Sequence, residues 1–151
     1  MAVRRKLFSA TLLALALLLM TALTVAAVGG RTFIVPLTGG ATGDPEGSGL
    51  AVLTINPGTE EVCYDITVSG IGEPTEPAFG LGAAHIHDFA TAGIFVDLET
   101  NWVATDGGFA TTGCTHADRE DLIAIFMDPS AFYVNVHTTE YPGGAVTGAL
   151  G

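Results

Sequence analysis

Past residue 30, apolar residues recur at every second position in short runs, and Gly, Pro, Asn or Asp separates the runs. In Arg31–Thr38, for example, Phe33, Val35 and Leu37 share one face of an extended chain. A period of two is the repeat of a strand that buries one face. We predict eight strands, at 31–38, 50–55, 62–68, 83–88, 94–98, 107–114, 132–138 and 145–150. Without a βαβ rhythm, this succession predicts an all-β fold, an antiparallel Greek-key β-sandwich.

One later stretch has a helical pattern instead. Its apolar residues at 122–126 recur with the spacing of a buried helical stripe. Asp118 is placed to cap the start of this helix, and Asp128-Pro129 ends it. No repeat or linker divides the chain, so its 151 residues predict a single domain with one short helix.

The start of the chain has the pattern of an export signal. Basic residues occupy 4–6, and 7–28 follows without a charge and ends in small residues such as Ala26 and Ala27. We therefore predict a signal peptide at 1–27, a mature domain at 28–151 and a secreted, extracytoplasmic protein. An uncleaved membrane anchor stays open as the alternative, because such an apolar stretch can span about 30 Å of hydrocarbon.

The two cysteines agree with export. In an oxidising compartment Cys63 and Cys114 are expected to form one disulfide. Two free thiols or a soft metal site are the alternatives, although the chain contains no C-x-x-C motif.

Charge restricts the partners of the domain. Beyond residue 27 the chain has 16 acidic residues, and Arg31 and Arg119 are its only Lys or Arg residues. Nucleic-acid binding needs clustered basic residues, so we expect none. The same charge balance argues against docking of the folded part on anionic lipid. The expected partner is an unidentified extracellular protein or surface component, and a membrane only if the signal is uncleaved.

Three of the four histidines fall on predicted strands. His85 and His87 are two residues apart and therefore share a strand face. On the other strand, His137 shares a face with Tyr133 and Asn135. If the two strands are neighbours, three neutral imidazoles converge, and such a set suits Cu²⁺ or Zn²⁺.

Two other roles for these histidines remain open. Strand histidines also hold loops by hydrogen-bonding to backbone carbonyls, and an imidazole can serve as a catalytic base. His116 is expected in an exposed loop. The chain has neither a G-x-S-x-G motif nor a phosphate-binding Gly-rich loop before a helix, and we do not expect an enzyme.

Two separated motifs resemble the CHRD family, whose domain was first described in chordin. The residues at 84–87 and 93–98 resemble the family's central motif. Those at 133–138 and 141–145 resemble its C-terminal signature. The likeness runs from Thr32 to Leu150, and the intervening strands and helix occur in the family's order.

The resemblance implies an exported single domain with an immunoglobulin-like or superoxide-dismutase-like sandwich. The family has no agreed catalytic residues, and in chordin these domains belong to an extracellular antagonist of growth factors. The chain departs from the pattern at Asp88, where members often have Gly, and at Thr147 and Ala149, where they often have an Arg and polar residues.

We therefore expect a non-catalytic extracellular binding or cell-surface domain. A copper- or zinc-binding protein that uses His85, His87 and His137 is the alternative. The paired-metal site of Cu/Zn superoxide dismutase needs six histidines and an aspartate, and four histidines cannot fill it.

Overall fold

The computed structural model describes residues 30–76 and 80–151, so the predicted signal peptide at 1–27 lies outside the described residues. Nine strands, one α-helix and a short 3₁₀ turn at Pro129–Ala131 form this part of the chain. In chain order these are β1 Arg31–Thr38, β2 Ser48–Asn56, β3 Glu61–Ser69, β4 Ala84–Asp88, β5 Ile94–Asp97, β6 Val103–Thr105, β7 Gly108–His116, α1 Arg119–Met127, β8 Phe132–Val136 and β9 Val146–Ala149. Within residues 30–76 and 80–151, no helix is long and apolar enough to cross a bilayer.

The strands form one antiparallel sheet in the order β5-β4-β8-β9-β1-β2-β3-β7-β6, curled into half a barrel. The predicted all-β antiparallel class with one helix is confirmed. The Greek-key sandwich of the immunoglobulin-like or superoxide-dismutase-like type is not confirmed, because all nine strands belong to a single hydrogen-bonded sheet.

The ninth strand, β6, was missed by the sequence pattern. It has three residues, too few to show a period of two, and all three are exposed. It pairs with β7 across the two-residue turn Asp106-Gly107. Asp-Gly between two strands is a strong hairpin signal, and it is the local feature that could have revealed β6.

The inner faces of the strands meet in one core, as their alternation predicts. On β1 the inward Val35 is fully buried, whereas its neighbour Ile34 is 69% exposed. Helix α1 packs Leu122 and Ile125 against this core. Asp118 occupies the N-cap position of α1, but its side chain makes no capping hydrogen bond, so this part of the helix prediction is wrong.

The predicted disulfide is present. Cys63 on β3 and Cys114 on β7 are direct partners across the two strands, and their sulfurs are bonded. The pair ties together two strands at the end of the sheet that is remote from β4 and β8.

Opening this disulfide is expected to destabilise the domain. The two cysteines are 51 residues apart, and the chain-entropy model gives about 4 kcal/mol for a loop of that length. We expect the double variant C63A/C114A to lose free energy of unfolding of that order in urea titrations. Reduced wild-type protein should match the variant, and equal stability of the variant and the oxidised wild type would contradict the prediction.

Candidate metal centre

The sheet brings the two histidine-bearing segments together. Strand β4 lies between β5 and β8, and its pairing with β8 sets His85 opposite Asn135 and His87 opposite Tyr133. His137 follows β8 directly and continues the same alternation. The expectation that the two strands are neighbours is confirmed, and all three imidazoles lie on the face of the sheet opposite the core.

Around the three histidines this face is also closed to solvent. The exposed fractions are 0% for His85, 6% for His87 and 4% for His137. The ring centroids lie 5.0 to 5.9 Å apart. One ligand nitrogen from each ring lies within 4.8 Å of the other two, so the three side chains form one cluster.

Hydrogen bonds determine which ring nitrogens carry the proton. Nδ1 of His87 lies 3.1 Å from the carbonyl oxygen of Ala92, and Nδ1 of His137 lies 2.9 Å from that of Pro142. Because a carbonyl only accepts, both Nδ1 atoms donate and both Nε2 atoms keep a lone pair. Nδ1 of His85, 3.0 Å from Nε2 of His137, is then assigned as the donor to it.

The hydrogen-bond network leaves two ring nitrogens unsatisfied. Nε2 of His85 and Nε2 of His87 are buried and have no hydrogen-bond partner. An unpaired buried polar atom costs about 1–3 kcal/mol of desolvation. A neutral imidazole with a free lone pair is also the group that binds transition metals, so these two nitrogens could each bind a metal ion.

The rings are held neutral by their surroundings. The pKa of His85 is lowered to about 4, mainly by burial and next by the nearby His137. Asp97, whose Oδ1 lies 3.7 Å from Nε2 of His85, opposes this shift. Burial is also the main cause of the lowered pKa values of His87 and His137. Neutral rings are the form that binds metal.

Asp88 shapes the loop over His87. Its carboxylate accepts hydrogen bonds from the N–H and the hydroxyl of Thr91, and that hydroxyl in turn accepts the N–H of Gly93. The resulting turn places the carbonyl of Ala92 on Nδ1 of His87. The departure from the family pattern at Asp88 therefore has a structural role beside the cluster.

Asn135 anchors the second covering loop. Its side-chain N–H donates to the carbonyl of Gly143 at 2.9 Å. At the next position, Gly144 has φ +125°, and an added Cβ would lie 2.0 Å from Oδ1 of Asn135. Only glycine fits this close approach, which keeps the loop and the carbonyl of Pro142 over His137.

Two other residues are placed clearly by the structure. His116 ends β7 rather than lying in a loop, is exposed as predicted, and contacts the carbonyl of Glu60 through Nδ1 at 3.0 Å. It is not part of the cluster. Asp97, which the sequence did not single out, is the direct partner of His85 on β5. Its role depends on a strand pairing that no local pattern reveals.

The comparisons with known proteins give one match. A family model described as CHRD domain matches residues 32–150. Neither the curated proteins nor the solved structures gave a significant match to the chain.

The burial of these histidines predicts an acid-sensitive fold. In the unfolded chain each imidazole binds a proton near pH 6.5, whereas folded His85 does so only near pH 4. Below pH 6.5 the unfolded state therefore binds more protons than the folded state. The free energy of unfolding of metal-free protein should decrease as the pH is lowered from 6.5 to about 4. Urea titrations across this pH range should show that the free energy of unfolding decreases less for His85→Asn than for the wild type. A wild-type free energy of unfolding that does not change with pH would contradict the prediction.

Proposed function

The chain belongs to the CHRD domain family, and we propose that it is a non-catalytic extracellular domain that binds a Cu²⁺ or Zn²⁺ ion through His85, His87 and His137. Family membership indicates a domain of extracellular type and specifies no activity. The proposal is carried by one observation, the convergence on one sheet face of three buried imidazoles, two of which have an unsatisfied ring nitrogen.

The spacing of the nitrogens fits a transition-metal ion. Two Zn–N bonds of about 2.1 Å span at most about 4.2 Å, and the ligand nitrogens here lie within 4.8 Å of one another. At the tetrahedral angle the two nitrogens are about 3.4 Å apart, so closing a pair 4.8 Å apart onto an ion needs about 1.4 Å of movement, shared between two rings. An all-nitrogen set without a carboxylate or thiolate ligand favours zinc or copper over magnesium or calcium.

The same burial argues against catalysis. Each ring is at most 6% exposed, which leaves a substrate no access to an ion held among them. The formal net charge of −11 also opposes steering of an anionic substrate such as superoxide. The proposed role of the ion is therefore binding or structural stabilisation.

An extracellular location is supported by the cross-strand disulfide and by the predicted signal peptide at 1–27, and we propose that the domain contacts an unidentified extracellular protein or surface component. The ring of Phe89 favours such a contact. It is 58% exposed and lies 4.6 Å, between centroids, from Tyr133, which in turn stacks on His87. An exposed aromatic ring of this kind is a frequent anchor in protein interfaces.

Metal content tests the proposed function directly. Protein purified without an affinity tag from its native compartment is expected to contain copper or zinc near one ion per chain. Metal-free protein should gain thermal stability on adding Cu²⁺ or Zn²⁺, because the ion binds only the folded state. A metal content near zero together with no thermal shift would contradict the proposal.

Two histidine variants provide the matched control for this measurement. His87→Ala is expected to abolish the thermal shift, since it removes one of the three ligands. His116→Ala should keep the shift, because His116 lies outside the cluster and its imidazole contacts the carbonyl of Glu60.

Intact mass tests export. Protein recovered outside the cytoplasm should have the mass of residues 28–151, less two hydrogens for the disulfide. The mass of the full chain would instead support the uncleaved anchor.

A further inference from the structure

A carboxylate stands at the second ring nitrogen of His85. Nδ1 of this ring points to His137, whereas Nε2 lies 3.7 Å from Oδ1 of Asp97 on the neighbouring strand β5. The carboxylate is positioned independently of the ring. It accepts the N–H of Gly82 at 2.9 Å and the N–H of Glu99 at 3.0 Å.

In the metal-free cluster this pair is mismatched. With its proton on Nδ1, His85 presents a bare Nε2 lone pair to a carboxylate oxygen, and two acceptors cannot form a hydrogen bond. The separation of 3.7 Å is too long for one. The unfavourable tautomer is imposed by His137, whose Nε2 can only accept because Pro142 holds the proton on Nδ1.

The same tautomer blocks a three-histidine site. As long as Nδ1–H of His85 donates to Nε2 of His137, the lone pair of His137 is occupied, and only Nε2 of His85 and Nε2 of His87 keep a free lone pair. Binding an ion to all three rings requires the proton between His85 and His137 to leave.

We propose that metal binding switches the tautomer of His85, and that Asp97 is the positioning residue that receives the switched proton in a hydrogen bond. On binding, Nδ1 of His85 would lose its proton to water and would hold the ion through the lone pair that the proton leaves. Nε2 would take up a proton from water, keep it, and donate a hydrogen bond to the carboxylate of Asp97. The ring is neutral before and after, so His85 releases no net proton.

This inference rests on the proposed function and specifies how the ion is held. Metal-bound histidines commonly donate their other N–H to a carboxylate, which fixes the ring orientation. Here the switch satisfies Nε2 of His85, which is unpaired in the metal-free cluster, and frees the lone pair of His137 for the ion. His85 would then bind through Nδ1, and His87 and His137 through Nε2.

Imidazole ¹⁵N NMR of the full chain tests the switch. In metal-free protein we expect the His85 proton on Nδ1, and after one equivalent of Zn²⁺, which is diamagnetic, on Nε2. If Zn²⁺ binds while the proton stays on Nδ1, the inference is overturned and the proposed function stands. If Zn²⁺ does not bind at all, both are overturned.

A pair of aspartate variants tests the role of Asp97. Asp97→Asn is expected to weaken Zn²⁺ binding about 10- to 100-fold, the usual cost of losing a carboxylate behind a histidine ligand. Asp65→Asn removes the same charge at an exposed position of β3 and should bind Zn²⁺ like the wild type. Unchanged affinity of folded Asp97→Asn would overturn the positioning role. Should this variant fail to fold, the wild-type tautomer spectra alone decide the inference.

Discussion

The antiparallel register between β4 and β8 decides what each face of this sheet contains. With His85 opposite Asn135 and Ile86 opposite Val134, one face carries polar rings and the other the apolar core. A slip of β4 by one residue would turn this strand over, placing His85 and His87 in the core and Ile86 under the loops. The histidine cluster and the packing of this end of the sheet therefore depend on the same pairing.

The polar face is unusual because it is buried as well. All five residues of β4 are buried, so this strand is covered on both sides. The covering loops supply backbone carbonyls at Ala92 and Pro142, which hold His87 and His137 in defined tautomers. Unlike a solvated surface, this environment leaves lone pairs without water, and a buried polar network that is only partly satisfied is costly. An ion among the rings would satisfy it.

The disulfide and the histidine cluster lie at opposite ends of the sheet. At one end β3 and β7 pair over nine residues each and are joined by the disulfide. At the other end the short strands β4, β5 and β8 hold the cluster, and the core cluster runs continuously between the two ends. The covalent link therefore stabilises the sheet without touching the rings.

By itself, the sequence determined what depends on neighbouring residues: the alternation of the longer strands, the shared face of His85 and His87, and the end of the helix before Pro129. These follow from local backbone geometry, and the pairing of the only two cysteines was predictable for a chain expected to be exported. Strand β6 was not predicted, because three residues are too few to show a period of two. Tertiary structure alone decided that β4 lies between β5 and β8, that Asp97 faces His85, and that one curled sheet replaces a sandwich. These features depend on pairing between distant segments. The pairing uses backbone carbonyls, which every residue carries, and it therefore leaves no trace in the sequence.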